Sequence, residues 1–384
     1  MKMLTATTEE IDDTTRAVED ILSQLDLESN LLAHSVGIMT CYNEFIESGV
    51  VKAVCEALPF DVVGCTTLGN GSGGQSGLLM LCLTVLTADD VFFSTAMSSS
   101  MAVELNGPVT DAFRRAQAGL NEKPALIIPF APLILQVGGE LIFNELNALS
   151  DGVPLFGTIA CDHTEGVGQS YTIHNGVCTK DCLSLLLISG NIHPRFFVAS
   201  ISENKIQKQK AIITDSTGNL VRKVNDMTFI KYMATLGISR GDGIEGMNAV
   251  PIVVDYNDDT TPVTRAIYML TPEGYAICGG AMPEGATLAI GSLDYDNVLE
   301  TVKAILKSAL AHKPINGLLM FPCLSRYLVL GLDALDELDA ISDCIGENIP
   351  YQAAYSGGEI CPVYDNKGHV FNRFHNFTCP VCIF

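Results

Sequence analysis

The chain is poor in positive charge, and no segment gathers its lysines and arginines into a dense basic cluster. It carries 22 Lys and Arg against 44 Asp and Glu, which gives a formal net charge of −22. Such a surface repels phosphate backbones and anionic lipid headgroups, because like charges meet on approach. We therefore expect no nucleic acid and no membrane among the partners of this protein.

Long hydrophobic runs are also missing. No window reaches the length of about 18 apolar residues that a membrane span requires, and the run "GLLMLCLTVLTA" contains threonines. The start, "MKMLTATTEEIDDTT", has acids where a signal peptide has its apolar region. Thirteen cysteines in 384 residues fall below the density of a disulfide scaffold, and most lie in apolar runs that suit reduced thiols. We expect a soluble, cytoplasmic protein with reduced cysteines.

What the sequence does contain is a repeated order of strand, helix and strand. The first copy runs from "SVGIMTCY" to "PFDVVGCTTLG", the second from "KPALIIPFAP" to "VPLFGTIACDH", and the third from "INGLLMFPCLSRY" to "IPYQAAYSGGEICP". In each copy this order predicts a parallel pair of strands joined by a right-handed crossover. The second strand of each copy passes a small residue, Gly64, Gly157 or Ala353, into a polar tip.

The segment between the second and third copies has a different character. It covers residues of about 205 to 292, where "KAIITDSTGNLVRKVND" predicts a hairpin and "MTFIKYMATLG" a short helix stopped by Gly237. Three copies at unequal spacing indicate units that share sheets rather than a solenoid. The predicted fold class is α/β, with two mixed-sheet domains built from repeated β-α-β-β units, residues 1–204 and residues 205–384.

The candidate ligand site follows from the same repeats, because ligands in open α/β sheets collect at the carboxyl ends of parallel strands. Two residues at such ends carry opposite charges, Arg326 and Glu359. Arg326 is expected to fork onto a ligand carboxylate, and Glu359 to meet an ammonium group. The alternative is that Arg326 and Glu359 pair with each other and only fix the loops.

Other polar residues give weaker indications of a catalytic or metal-binding site. Cys65 and Cys323 are candidate nucleophiles, but no Cys/His signature accompanies either, which favours buried structural thiols. Asp162, His163 and Glu165 form a cluster that suits a polar loop better than a metal site, because no second histidine stands at ligand spacing.

The C-terminal sequence "HNFTCPVC" places His375, Cys379 and Cys382 at a spacing that resembles a metal site. If this segment is a strand, Cys379 and Cys382 project to opposite faces and cannot bind one ion together. We therefore expect no metal. The glycine-rich stretch Gly69 to Gly77 lacks the Gly-Lys-Ser/Thr ending of a phosphate loop and is expected to form a mobile loop that closes over a site.

Four motifs together resemble the FIST sensory domain (F-box and intracellular signal transduction). They are "VVGCTTLG", "LLMFPCLSRYLVLG", "YSGGEICPV" and "FHNFT". The resemblance covers nearly the whole chain and implies a FIST N-terminal-like domain in residues 1–204 and a FIST C-terminal-like domain in residues 205–384. The first tip departs from the family pattern, because Asn70 follows Gly69 where the family has glutamate.

The resemblance implies a non-catalytic, stand-alone intracellular sensory module that binds a small ligand, an amino acid or related metabolite, and signals to a protein partner. The residues that match the family motifs are Cys65, Thr66, Gly69, Cys323, Arg326, Glu359 and Asn376. No cofactor is expected. Two alternatives remain open, a cysteine-based enzyme and a haem-dependent nitric oxide sensor, for which His163 and His375 are the best-placed iron ligands.

Overall fold

The structure is a computed structural model and describes residues 1–134, 139–162, 169–238 and 250–384. The elements of the first of these ranges are β1 (Lys2–Thr8), α1 (Thr14–Leu25), α2 (Leu27–Asn30), β2 (His34–Cys41), α3 (Glu44–Glu47), α4 (Val50–Ala57), β3 (Val62–Thr66), β4 (Asn70–Ser72), β5 (Gln75–Gly77), β6 (Leu81–Ala88), β7 (Val91–Met97), α5 (Asn106–Ala118) and β8 (Leu126–Ala131). No described helix is long and apolar enough to cross a membrane.

The next two ranges contain α6 (Gly139–Ser150), β9 (Gly157–Ile159), β10 (Thr172–His174), β11 (Val177–Thr179), β12 (Ser184–Gly190), β13 (Arg195–Ala199), β14 (Ala211–Thr217), β15 (Leu220–Val224), β16 (Met227–Thr228) and α7 (Phe229–Thr235). The last range contains β17 (Ile252–Asp255), β18 (Val263–Arg265), β19 (Ile267–Leu270), β20 (Ala276–Cys278), β21 (Thr287–Ile290), α8 (Tyr295–Leu310), β22 (Leu318–Met320), α9 (Leu324–Leu330), α10 (Asp336–Ile345), β23 (Tyr351–Ala354), β24 (Glu359–Tyr364), β25 (Val370–His375) and β26 (Cys379–Ile383).

All three predicted copies of strand, helix and strand are present. Strands β2 and β3, β8 and β9, and β22 and β23 form parallel pairs. The apolar strands β6, β12 and β26 return antiparallel beside the first strand of each copy. These strands are apolar throughout because both faces of each sheet are covered. The predicted α/β class with repeated units is therefore confirmed.

The three copies exchange their hairpins in a cycle. Hairpin β4–β5 of the first copy pairs with β23 of the third, β10–β11 of the second pairs with β3 of the first, and β24–β25 of the third pairs with β9 of the second. Three mixed six-stranded sheets result, in the orders β1-β6-β2-β3-β10-β11, β25-β24-β9-β8-β12-β7 and β13-β26-β22-β23-β4-β5. Each copy thus completes the sheet of another copy.

The inner faces of the three sheets share one central core. Ile38 of the first sheet, Phe130 of the second and Phe321, which follows β22 of the third, all belong to it. Phe130 and Phe321 meet edge to face with ring centroids 6.2 Å apart. Helices cover the outer faces: α1 and α4 on the first sheet, α5 and α6 on the second, and α8 and α10 on the third.

Residues from about 205 to 292 form a fourth sheet with its own core. Its strands follow the order β18-β17-β21-β14-β15-β20-β19, all pairs in it are antiparallel, and α7 packs on it. The predicted hairpin is β14–β15, and α7 ends just before Gly237, whose φ is +76°. Residue 205 divides the sequence but not the sheets, since β13 pairs with β26 and β9 with β24. The domain boundary itself stays a prediction.

The glycine-rich stretch is a hairpin, and the prediction of a mobile loop there was wrong. Gly73 and Gly74 adopt φ values of +57° and +82° in the turn between β4 and β5. Asn70 is fully buried, where its Oδ1 accepts from Thr40 at 2.5 Å and its Nδ2 donates to the Met80 carbonyl at 2.8 Å. The distant partner strand β23, which local sequence does not reveal, orders this segment.

Candidate functional site

The polar tips of the three copies meet at Tyr355. The Thr67 hydroxyl donates to the Tyr355 carbonyl at 2.6 Å, and the Cys161 thiol approaches the same oxygen at 3.2 Å. The Tyr355 amide donates to the Gly69 carbonyl at 3.1 Å. Because all three second strands end here, the exchange of hairpins builds a shared centre at their carboxyl ends.

The predicted residues of the first tip are held in place by backbone hydrogen bonds and by packing. Cys65 lies in β3 and points into the central core, only 2% exposed. The Thr66 hydroxyl accepts from the Tyr171 amide at 2.8 Å. A Cβ at Gly69 would lie 3.4 Å from the Tyr355 ring, so a larger residue would press against that ring. Thr66 and Gly69 therefore shape the centre, whereas Cys65 packs into the central core.

Glu359 begins β24 and carries a carboxyl group inside the protein. The residue is 0% exposed, and its Oε2 accepts a 3.0 Å hydrogen bond from the Thr378 hydroxyl. Its Oε1 has no hydrogen-bond partner among the described residues. A buried carboxyl oxygen without a partner is costly, and this one marks unfilled hydrogen-bonding capacity at the centre.

The neighbours of Glu359 are held by other bonds. Ser356 Oγ accepts from Thr158 Oγ1 at 2.6 Å, lies 2.8 Å from the Gly358 carbonyl oxygen, and also approaches the Glu359 carboxyl group. The Cys323 amide donates to the Thr378 carbonyl at 2.8 Å. This bond ties the segment after β22, the first strand of the third copy, to the residue before β26. These hydrogen bonds connect the loops around Glu359, while Oε1 itself has no hydrogen-bond partner among the described residues.

Burial controls the protonation of this cluster. Desolvation raises the pKa of Glu359 well above its ordinary value, and contacts with Cys323 and Thr378 lower it only in part. Burial, followed by the charge of Glu359, also raises the pKa of the Cys323 thiol well above its ordinary range. Both side chains therefore favour their neutral forms, which is the opposite of the electropositive setting that activates a cysteine nucleophile.

Arg326 bonds to a different acid from the one that the sequence suggested. This arginine lies in α9, is 0% exposed, and its Nε donates to Glu337 Oε1 at 2.7 Å. Its Nη2 donates to the Val298 carbonyl at 2.8 Å, so the guanidinium also anchors α8. The carboxylate partner in this structure is Glu337 rather than Glu359. These contacts fit a residue that positions the loop, and direct contact between Arg326 and a ligand stays a prediction.

Asn376 connects the cluster to the fourth sheet. Its Oδ1 accepts from the Ala266 amide at 3.2 Å, and its Nδ2 lies 3.5 Å from the Tyr268 hydroxyl. Tyr268 is 46% exposed, yet burial of its hydroxyl end raises the pKa of the phenol, which Cys323 and Glu359 raise further. Tyr268 therefore spans from solvent to the buried cluster.

Three residues of the cluster were not chosen from the sequence. Thr378 lies in the quoted motif "FHNFT" and Ser356 in "YSGGEICP", so the motifs themselves held the signal. Tyr268 comes from "TRAIYML" in the fourth sheet, whose alternation predicts a strand but not its contact with Asn376. Only the tertiary arrangement brings these side chains together.

The metal and haem alternatives concern the histidines. His163 and Glu165 lie outside the described residues, and within the described ranges no three His, Cys, Asp or Glu side chains are placed to hold a metal ion. Cys379 and Cys382 lie in β26 and pack into different cores, which confirms that they face opposite ways.

His375 fits poorly as an iron ligand. The residue is 2% exposed, and its Nε2 lies 3.3 Å from the Cys361 carbonyl oxygen. Burial, with the charge of Arg265 next, lowers the pKa of His375 to about 3, so the ring is neutral at physiological pH. An axial bond through Nε2 to haem iron would have to displace this backbone contact.

The fold and the buried cluster define a mixed α/β protein whose polar centre lies where three sheets end. Family comparison agrees with this architecture: the FIST N domain matches residues 35–227, and the FIST C domain matches residues 222–362. The chain belongs to the FIST family, whose domains are sensory domains of signal transduction. No individual curated protein matches it.

Proposed function

We propose that this chain is a cytoplasmic, non-catalytic sensory module that binds a small ligand with an amino group, an amino acid or related metabolite, at Glu359. The observation that carries this proposal is the fully buried Oε1 of Glu359, which has no hydrogen-bond partner among the described residues. A ligand ammonium placed there fills the missing bond and supplies the charge that lets the acid ionise.

The surrounding residues have defined parts in this proposal. Cys323 and Thr378 contact the carboxyl group, and Asn376 connects this cluster to Tyr268. Thr66 and Gly69 shape the wall on the side of the first copy, and Cys65 packs behind it in the central core. Arg326 holds α9 in place through its bond to Glu337. Because Arg326 is engaged by Glu337, we expect backbone amides and hydroxyls at the strand exits to bind the ligand carboxylate instead.

Tyr268 is the proposed route of access and the proposed link to a signalling partner. Its ring is half-exposed while its hydroxyl lies beside Asn376. A ligand that reaches Glu359 must displace this side chain, which moves the edge strand β19 of the fourth sheet. Such a movement changes an exposed surface by a shift between two populations, which is the readout that a protein partner requires.

Native mass spectrometry of the freshly purified full chain tests the proposal. We expect a bound mass of amino-acid size that is lost in Glu359→Gln and retained in Glu56→Gln, a matched change at an exposed glutamate of α4. If the wild type carries no such mass, a thermal-shift screen of the proteinogenic amino acids and their amine derivatives decides. Equal responses of wild type and Glu359→Gln to every compound contradict the proposal.

A further inference from the structure

A cavity lies on the side of β24 opposite to Glu359. It measures about 370 Å3 and opens between α6, hairpin β24–β25 and the segment from Tyr256 to Pro283 of the fourth sheet region. Its floor is apolar and almost fully buried, formed by Phe143, Ile360 and Phe374. Ile360 follows Glu359 directly, and successive strand residues face opposite sides, so the cavity and the Glu359 cluster are separate.

The two acids that line the cavity already have protein partners. Glu140 accepts from the Ala281 amide through Oε2 and faces Arg265 Nη2 through Oε1 at 3.4 Å. Asp258 Oδ1 accepts from the Thr260 hydroxyl at 2.6 Å, and its Oδ2 pairs with Arg373 Nη2. Each carboxylate is therefore neutralised by one arginine, and neither has a strong need for a cationic ligand.

Arg373 is the lining residue with unfilled bonds. Its Nε is buried and has no hydrogen-bond partner among the described residues. The guanidinium is held in place by Asp258 and by two aromatic rings, with its central carbon 4.8 Å from the ring centroid of Tyr256 and 5.3 Å from that of Phe371. A rigid guanidinium with a spare N–H is a preorganised donor for an oxygen acceptor.

The rim of the cavity also offers donors. Asn147 Oδ1 accepts from Asn372 Nδ2 at 2.9 Å, which leaves the Nδ2 of Asn147 to donate. Asn144, one turn earlier on α6, is exposed and lines the same cavity. The cavity therefore combines an apolar floor with the guanidinium of Arg373 and with exposed asparagine amides at its rim.

We propose that this cavity binds a small organic monocarboxylate with an apolar or aromatic part. The carboxylate bonds to the guanidinium of Arg373, the apolar part lies on Phe143, Ile360 and Phe374, and the asparagine amides lie at the rim. The volume is that of a pocket for a compact metabolite. The two arginine–acid pairs leave the site neutral overall, so it accommodates one negative charge better than two.

Isothermal titration of the full chain with phenylacetate tests this proposal, with phenylacetamide and phenethylamine as neutral and cationic probes of the same shape. We expect saturable binding of phenylacetate with a Kd below about 5 mM and at least about tenfold weaker binding of both other compounds. Absence of saturation by phenylacetate, or tighter binding of phenethylamine, overturns the proposal.

Variants separate this site from the Glu359 cluster. Arg373→Gln should weaken phenylacetate binding at least about tenfold, and Asn144→Asp, an exposed change that adds a negative charge at the rim, should weaken it at least about threefold. Arg222→Gln, which removes an arginine from an exposed ion pair with Asp215, should have no effect. Glu359→Gln should also have no effect. Unchanged binding in both Asn144→Asp and folded Arg373→Gln contradicts the assignment.

Discussion

Folding removes the carboxyl group of Glu359 from water, so the ionisation of this residue is linked to stability. Its pKa in the folded state is raised well above 4.5, so above that pH the folded state binds more protons than the unfolded state. The free energy of unfolding should therefore fall as pH rises from about 4.5 toward the folded pKa. Glu359→Gln should remove this fall, as urea unfolding between about pH 5 and pH 8 measures.

The comparison needs a matched variant because His375 titrates in an overlapping range. The folded pKa of His375 is about 3, below its ordinary 6.5, so its contribution is complete above pH 6.5 and is lost as pH falls toward 3. This opposite slope is common to wild type, Glu359→Gln and Glu56→Gln and cancels in their differences. If Glu359→Gln and wild type show parallel pH profiles, a raised pKa of Glu359 is refuted.

The ion pair of Arg326 and Glu337 makes a second prediction. Both side chains are 0% exposed, so removing one charge leaves the other buried without a partner. Glu337→Gln should lower the free energy of unfolding by about 3–5 kcal/mol. Asp215→Asn, which breaks the exposed pair with Arg222, should cost less than about 1 kcal/mol. Equal losses of unfolding free energy in the two variants would show that burial does not make the Arg326–Glu337 pair more costly to break.

Thiol reactivity distinguishes the sensor from a cysteine-based enzyme. Burial raises the pKa of Cys65 and Cys323 well above the ordinary range, and both are 2% exposed. Cys344 is only partly buried. Iodoacetamide at neutral pH should therefore alkylate Cys344 faster than Cys65 or Cys323, as peptide mapping measures. Rapid, selective modification of Cys323 in the folded protein would favour the enzyme.

Among the elements, the parallel strand pairs explain why small residues recur at one place in each copy. A Cβ at Gly64 would lie 1.7 Å from the Met39 carbonyl oxygen on the paired strand, and one at Gly157 would lie 2.2 Å from the Pro129 oxygen. A backbone oxygen cannot retreat without breaking the sheet. The third copy has Ala353 in the corresponding place and accommodates its methyl group at 0% exposure.

This close approach gives a prediction for stability. Gly64→Ala should lower the free energy of unfolding by at least about 2 kcal/mol, because strands β2 and β3 must separate to admit the methyl group. Gly71→Ala serves as control, since its Cβ would meet Leu338 at an ordinary 3.5 Å, and should change stability by less than about 1 kcal/mol. Denaturant unfolding of the two variants measures both. A harmless Gly64→Ala would mean that the strands are less tightly paired than described.

Local sequence patterns predict the strands and helices, but they do not predict the exchange of hairpins between the three copies. Apolar runs of strand length predicted β2, β3, β8, β22 and β26, because periodicity and length are properties of adjacent residues. The partner of β4 is β23, which pairs with it across at least 280 residues of sequence, and no local pattern encodes that pairing. For this reason the sequence alone predicts a mobile loop in the glycine-rich stretch, where the structure has a paired hairpin.

For the candidate site, too, the sequence predicts which residues lie at strand ends but not which side chains they contact. Strand exits selected Cys323 and Glu359, which lie side by side, and Cys65, which packs into the central core instead. The sequence left open whether Arg326 meets a ligand or pairs with Glu359, whereas the guanidinium bonds to Glu337, one helix further along. Side-chain direction within a helix and the position of the fourth sheet decide such contacts, and neither is fixed by motif spacing.

For the whole molecule, the exchange of hairpins makes the three copies one structure with a single polar centre. Each copy contributes a tip to the bonds around Tyr355, and the fourth sheet reaches the same centre through Asn376 and Tyr268. The proposed ligand at Glu359 would therefore contact parts that come from both family domains. The central claim is that this ligand carries an amino group, which pairs with the ionised form of Glu359.

Isothermal titration of the ligand that the screen identifies, repeated in buffers of different ionisation enthalpy, tests this claim most directly. When an ammonium group binds to an acid that is neutral in the free protein, the acid must release its proton to the buffer. Wild type should release about one proton per bound ligand, and Glu359→Gln should release none and bind at least about tenfold more weakly. Equal affinity in the two proteins, with no release of a proton by the wild type, would contradict the account.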